Sequence, residues 1–430
     1  MDAVHDLYVP MEIAQGFLAW RSVRCSVDLS RACQTRGRFS IESGHRRGIL
    51  VRLRLSLLAA AVTALSVGLS GGYAGHDYIE FHAAAQLLGA RESPYAPEPQ
   101  RRAQALLRPG TNLGPNEAVG FLPYYYPPWL ALMCWPLSLF PYQAAKVIWV
   151  YIGFLGLVYA GDMLHRPAGP LSRRSSVFVA VLFLPSIFSV LIGQTAPLVL
   201  WLGVLVWHLL QKGRDRAAGV ALAWLSVKPT LAIVAIPGMI VWAVRQGRWS
   251  LIASSGLMLG TMCTVSTMVL PSWPVEMYLA LRRIPLDTVA DPRVGATWPL
   301  ALRVLGFDGW RLALANATTA VVVVATILMT AWRKGSPAAD TLGLGLLTAF
   351  FVSPYARFYD YPVLLVPLTI VLGRLPRLAA AGLLLALMLV PYLHLPLIGL
   401  LGFRHIEFIW MPAILALAWL TTSGRTKRPV

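Results

Sequence analysis

The residues most able to do chemistry open with His76-Asp77-Tyr78-Ile79-Glu80-Phe81-His82-Ala83-Ala84-Ala85-Gln86-Leu87-Leu88-Gly89. Phe81, Ala84, Ala85 and Leu88 recur at helical spacing, and Gly89 suits the position just past a helix end. Asp77 then falls at the helix start. Glu80 lies one turn further on, so the two carboxyls share a face. Asp77 either caps this helix or acts as a carboxylate that takes a proton from a hydroxyl. A capping acid that faces a cavity does both. Glu80 and His82 are candidates for holding the substrate.

Cations come next. Lys228 interrupts the apolar stretch Ala217 to Val244 and precedes Pro229. An ionisable residue near a membrane span is costly and suggests function, here binding an anionic head group or phosphate. The plainer role is a lysine snorkelling to the interface. The string Ser353-Pro354-Tyr355-Ala356-Arg357-Phe358-Tyr359-Asp360-Tyr361 is dense in polar and aromatic groups. Arg357 and Asp360 are three apart, and they either pair with each other or place a guanidinium against a leaving phosphate. Tyr359 and Asp360 belong to the same candidate site. Tyr124-Tyr125-Tyr126-Pro127-Pro128-Trp129 is either an interfacial aromatic belt or a wall on which a sugar stacks, with Tyr125 and Tyr126 as contacts. Gln194, in Gly193-Gln194-Thr195, completes the set. Arg282-Arg283, Arg293 and Arg404-His405 with Glu407 are weaker candidates.

The elements that position these residues follow from composition. The chain has 430 residues, of which 57% are hydrophobic and 13% charged, with a mean hydropathy of +0.62. Soluble domains keep about a quarter of their residues charged. So little polar surface requires a bilayer as solvent. The net charge of +18 sits in short clusters between apolar runs, at 45–47, 173–174, 212–216, 333–334 and 425–428. That is the positive-inside pattern, not a nucleic-acid surface. The four cysteines show no CxxC spacing and no neighbouring histidine, which argues against a disulfide framework or a zinc site.

Residues 1–50 are polar and basic and lack the organisation of a secretory signal; they are expected to form a disordered cytoplasmic tail. The first span covers about 53–70. The run Pro127 to Pro141 is only about 15 residues long, short for a span. If it crossed, nearly every later basic loop would lie outside. If it is re-entrant or interfacial, spans near 142–163, 176–192, 195–211, 216–231, 232–245, 250–270, 312–332, 339–352, 361–373, 376–394 and 406–421 place every short basic loop in the cytoplasm. The expectation is an all-α polytopic protein of about twelve spans over residues 51–421, with a basic cytoplasmic C-terminus at 422–430. Two outer loops, about 72–141 and 271–311, carry amphipathic helices. Neither a Walker A nor a DxD motif is present.

Several of these pieces, in this order, resemble glycosyltransferase family 87, the polyprenol-phosphate-mannose-dependent membrane mannosyltransferases of GT-C fold. They are Asp77 through Tyr95, Tyr126-Pro127-Pro128 with Pro136-Leu137, Gly193-Gln194-Thr195, Ala218-Gly219 with Lys228-Pro229, and Ser353-Pro354 with Tyr359-Asp360. They span about residues 55 to 400. The resemblance implies an aspartate in the first outer loop as catalytic base, the place Asp77 occupies, and inversion at the anomeric carbon. Relatives often carry Trp-Asp-His where this chain has Tyr359-Asp360-Tyr361, so a histidine role in donor binding is not carried over.

The chemistry fits the topology. A lipid-phosphate sugar brings an activated donor to the outer face, one base deprotonates the acceptor, and cations steady the departing phosphate. A direct displacement needs only one such carboxylate. The expected partners are a polyprenyl-phosphate-sugar donor, a lipid or glycan acceptor and membrane lipids. Neither a cofactor nor a metal is expected. A transporter or flippase is the rival reading, since an intramembrane lysine and proline-broken spans suit it too; it predicts inverted repeats and charges at mid-membrane.

Overall fold

The computed structural model describes residues 51, 53–68, 74–107, 121–165, 171–283, 291, 293, 295–401 and 404–423. The expected tail 1–50 and residues 424–430 of the expected C-terminal segment 422–430 lie outside them. Residues 1–58 form one unit, of which only 51 and 53–58 are described, as helix; residues 59–430 form a second, compact unit. Every regular element among the described residues is helical.

In chain order the helices are α1 (Leu53–Gly68), α2 (Tyr78–Gly89), α3 (Pro97–Leu107), α4 (Pro128–Ser138), α5 (Tyr142–Leu164), α6 (Arg173–Leu182), α7 (Leu184–Ile192), α8 (Ala196–Gln211), α9 (Asp215–Trp224), α10 (Pro229–Ala232), α11 (Ala235–Arg245), α12 (Trp249–Val269), α13 (Trp273–Arg282), α14 (Trp298–Val304), α15 (Gly309–Trp332), α16 (Ala338–Val352), α17 (Leu365–Arg374), α18 (Arg377–Leu401) and α19 (Trp410–Thr422). Among the described residues five helices are long and apolar enough to cross a membrane, or six if the bent pair α6–α7 is one span. This is fewer than the twelve spans expected from sequence. The expected boundaries nevertheless fall close to real helices; several of these are short or broken. Helices α12 and α15 leave Leu257, Met268, Val321, Val322 and Met329 exposed, an apolar surface too extensive for water and suited to lipid.

The breaks have local causes. Pro185 has no N–H to give and its ring opposes the carbonyl of Val181, so the chain bends by 57° between α6 and α7. Pro229 pushes the residue before it out of the helical region, and Lys228 accordingly lies at φ −129°, ψ 84°. Residues Phe358–Leu364 form a 3-10 helix ahead of α17. Such irregular backbone survives at membrane depth only where protein or a cavity encloses it.

Among the described residues, the loop between α1 and α5 holds three short helices. Ten of the twelve α2 residues are buried, so this helix is enveloped on all sides and not amphipathic as its spacing suggested. Gly89 is its last helical residue, and Arg91, not the glycine, takes the left-handed conformation (φ 59°). Gly89 is small for another reason: a Cβ there would meet Trp135 Nε1 at 2.9 Å. From α3, Gln104 clamps Leu122 by both backbone groups and Gln100 donates to the Glu80 carbonyl. The eleven residues of α4 span about 16 Å, half the hydrocarbon thickness, so α4 is too short to cross on its own.

Candidate functional site

The site is built where the chain before α2 docks onto the end of α7. Gly193 ends α7 at φ +84°, and a Cβ there would approach the Gly75 Cα at 3.0 Å and the Tyr78 nitrogen at 3.2 Å. Carbonyls at a helix end lack intrahelical partners. Here Gly75 N donates to Leu191 O (2.6 Å) and Asp77 N to Ile192 O (2.7 Å), while Trp149 Nε1 donates to Gly193 O (2.8 Å). The backbone of 75–77 is thus fixed beside Gln194.

Asp77 precedes α2 but its side chain caps nothing. Its Oδ2 accepts from Gln194 Nε2 at 2.6 Å, and its Oδ1 lies 3.2 Å from His76 Nδ1. Both side chains keep about one-sixth of their surface open, 15% and 16%, so the carboxylate is held yet reachable.

From Gln194 the hydrogen bonds run on. Its Oε1 accepts from Lys228 Nζ (3.1 Å) and from Tyr126 OH (3.2 Å). Lys228 Nζ then lies 2.5 Å from Asp360 Oδ1, and Asp360 Oδ2 accepts from the Arg357 backbone nitrogen at 2.9 Å. Lys228 and Asp360 are buried, at 4% and 1% exposure. The lysine therefore does not snorkel, and its ammonium lies 5.7 Å from the Tyr126 ring and 5.6 Å from the Tyr359 ring. Arg357 does not pair with Asp360 through its side chain. Its guanidinium lies 5.3 Å from the Tyr355 ring and 5.5 Å from the Tyr359 ring. It has no ion pair with a carboxylate among the described residues, and its Nε is buried without a hydrogen bond.

Glu80 is buried near Asp77, Lys228 and Arg357. Burial, reinforced by the Asp77 charge and opposed by the two cations, holds its carboxyl well above the usual range. A carboxyl raised in the folded state stabilises the fold below its unfolded pKa and loses that contribution as pH climbs through the raised value. Glu80→Gln, a permanent mimic of the protonated acid, is therefore expected to keep the fold and to melt higher than wild type in alkaline buffer, with equal melting near pH 4. Thermal unfolding in detergent across pH checks this; identical alkaline melting of the two proteins refutes it.

The other residues named from sequence are placed as follows. Tyr126 joins the network, and its ring is edge-on to Phe81 at 5.1 Å. Tyr125 is half-buried, and the Glu80 charge adds to the effect of burial in raising its hydroxyl. Tyr124 is spent on structure, its hydroxyl donating to Pro127 O and accepting from Ala131 N. His82 sits apart from the network, fully buried against Tyr78 and Tyr142, and burial lowers its ring to about 4. Two residues escaped the sequence reading as site members. His76 touches Asp77, and its only signal was adjacency. Tyr355 stacks beside Arg357. His405, ranked lowest, supports the site: its Nδ1 accepts from Phe358 N at 3.2 Å and its ring packs on Tyr359. Glu407 lies 2.7 Å from His394 and 3.9 Å from Arg404.

Fold and site together define a polytopic helical protein with a buried chain of acid, amide and cations, formed where its helices break. The family model of glycosyltransferase family 87 matches residues 124–354, more than half the chain. The protein belongs to glycosyltransferase family 87, and is a membrane glycosyltransferase. Tyr126, Gln194 and Lys228 lie inside the matched stretch; Asp77 and Glu80 precede it, and Arg357 and Asp360 follow it. No curated protein and no solved structure matches the chain. Family membership leaves the transporter or flippase reading without support.

Proposed function

We propose that this protein transfers a sugar, with mannose the first candidate, from a polyprenyl-phosphate-sugar donor to a lipid or glycan acceptor at the outer face of the cytoplasmic membrane. The observation that carries the reading is Arg357. A guanidinium with no carboxylate partner among the described residues, flanked by two tyrosine rings and close enough for its charge to act on Asp77, is suited to a phosphate. Asp77 accepts the proton of the acceptor hydroxyl. The acceptor oxygen attacks the anomeric carbon as the bond to the phosphate oxygen breaks, and the phosphate leaves with that electron pair. A phosphodiester thereby becomes a monoester and gains negative charge, which Arg357 and Lys228 offset. Tyr125 and Tyr126 line the sugar. The apolar surface of α4, with Trp135, Leu139 and Phe140 exposed around its end, receives the isoprenoid. Attack opposite the leaving group inverts the anomeric carbon. The GT-C fold and the twelve-span topology with both termini cytoplasmic belong to the same proposal.

The test is incubation of purified protein with radiolabelled polyprenyl-phosphate-mannose and a membrane lipid extract, comparing wild type with Arg357→Gln. Wild type is expected to form a new labelled lipid or glycan. The variant is expected to lose about 10- to 100-fold in donor affinity, the worth of one charge-assisted contact. Equal donor binding by both proteins removes Arg357 from the phosphate site. Transfer from a different polyprenyl-phosphate sugar alone would replace mannose.

A further inference from the structure

We infer that Gln194 is a positioning residue which fixes the Asp77 carboxylate and couples it to the cations of the donor-phosphate site; this rests on the transferase reading above. A primary amide has donors at one end and acceptors at the other. The Oε1 of Gln194 takes both an ammonium and a phenol, from Lys228 and Tyr126. An ammonium cannot accept a hydrogen bond, so the amide cannot be turned end for end. Its N–H end therefore points at Asp77, and meets Oδ2 at 2.6 Å. With His76 at Oδ1, the carboxylate is gripped from both oxygens before any substrate arrives.

The same amide joins three parts of the chain that share no secondary structure. Asp77 stands before α2, Gln194 follows α7, and Lys228 stands at the break before α10. Lys228 in turn holds Asp360, which accepts from the Arg357 backbone nitrogen. A phosphate that draws on Lys228 and Arg357 thus acts on the group that aims the base. Side-chain length matters as well as polarity: the amide must reach Asp77 and Lys228 together, which a shorter asparagine does not.

Three variants and two readouts test this with full-length protein in detergent, polyprenyl-phosphate-mannose as donor and a membrane lipid extract as acceptor. Gln194→Leu is expected to lower kcat by about 30-fold while the donor KM stays within about twofold, because a misaimed base slows the chemical step without weakening binding. Gln194→Asn is expected to behave like the leucine variant. Gln194→Glu is expected to transfer sugar at low pH, where its protonated carboxyl can donate to Asp77 and accept from Lys228, and to fail as that carboxyl ionises. A cryo-EM structure of Gln194→Leu is expected to show the Asp77 side chain rotated from its place with α2 and α7 unmoved. A leucine variant with wild-type kcat, a KM rise matching the kcat loss, or an unmoved Asp77 overturns the inference. Absence of transfer by the wild type would instead overturn the polyprenyl-phosphate-mannose donor proposed above, and the Asp77 position in the two maps would still decide the role of Gln194.

Discussion

Asp77→Asn is expected to abolish sugar transfer while leaving the protein folded. Asparagine has the shape of aspartate, and its side-chain oxygen can still accept from Gln194 Nε2, the 2.6 Å contact that holds the native carboxylate. The side chain caps no helix in the native protein, so α2 loses nothing by the change. What is lost is the ability to take a proton. Removal of a general base costs about 10²–10⁴-fold in rate, and kcat is expected to fall by about a thousandfold at unchanged donor affinity. The assay follows label from polyprenyl-phosphate-mannose into a membrane lipid extract, with donor binding and thermal melting measured in parallel. An asparagine variant as fast as wild type would show that another group takes the proton, and His76, 3.2 Å from Asp77, would be the next to test.

Lys228→Met carries the largest expected effect on the fold. The ammonium and the Asp360 carboxylate are both buried and lie 2.5 Å apart. Methionine fills much of the lysine volume but leaves Asp360, at 1% exposure, charged and without its cation. Breaking a buried pair from one side costs about 3–5 kcal/mol, whereas replacing both charges is close to neutral. The single variant is therefore expected to melt well below wild type in detergent. Lys228→Met with Asp360→Asn is expected to recover most of that loss, since asparagine still accepts from the Arg357 backbone nitrogen. Neither protein should transfer sugar under the proposed mechanism, in which Lys228 offsets the charge of the donor phosphate. Melting of the single variant at the wild-type temperature would refute the Lys228–Asp360 pair as a support of the fold.

The two experiments separate roles that one network combines. Gln194 ties Asp77 to Lys228. Asp77→Asn should therefore silence the chemistry with little change in melting, while Lys228→Met disturbs both. A protein whose polar groups merely satisfied one another would show stability effects at every position and no such division.

Much was legible from sequence because it depends on local pattern. The hydropathy and the spacing of basic clusters require a helical membrane protein whatever its tertiary fold, and helix boundaries such as Tyr142–Leu164 follow from apolar run length. Pro229 determines that Lys228 leaves the helix, because the proline ring clashes with the residue immediately before it. Asp77, Lys228, Arg357 and Asp360 stood out for a related reason: charge beside an apolar run is costly wherever the run folds. Partner choice was beyond that reach. Arg357 and Asp360 are three apart and were free to pair, yet Asp360 turns to a lysine 132 positions away. Asp77 was equally free to cap α2, yet it turns to Gln194, 117 positions on. Local spacing offers these alternatives at similar energy, and burial of the ammonium chooses among them, since an enclosed charge must be met by whichever carboxylate the packing brings near. Gln194 carried no charge to mark it and holds the most central place, because a neutral amide matters only through what stands at its two ends. His82 shows the opposite case: the same helix that carries Glu80 toward the cations turns His82 into an aromatic core, a direction fixed by the packing of α2 against Tyr142 and not by the spacing of its residues.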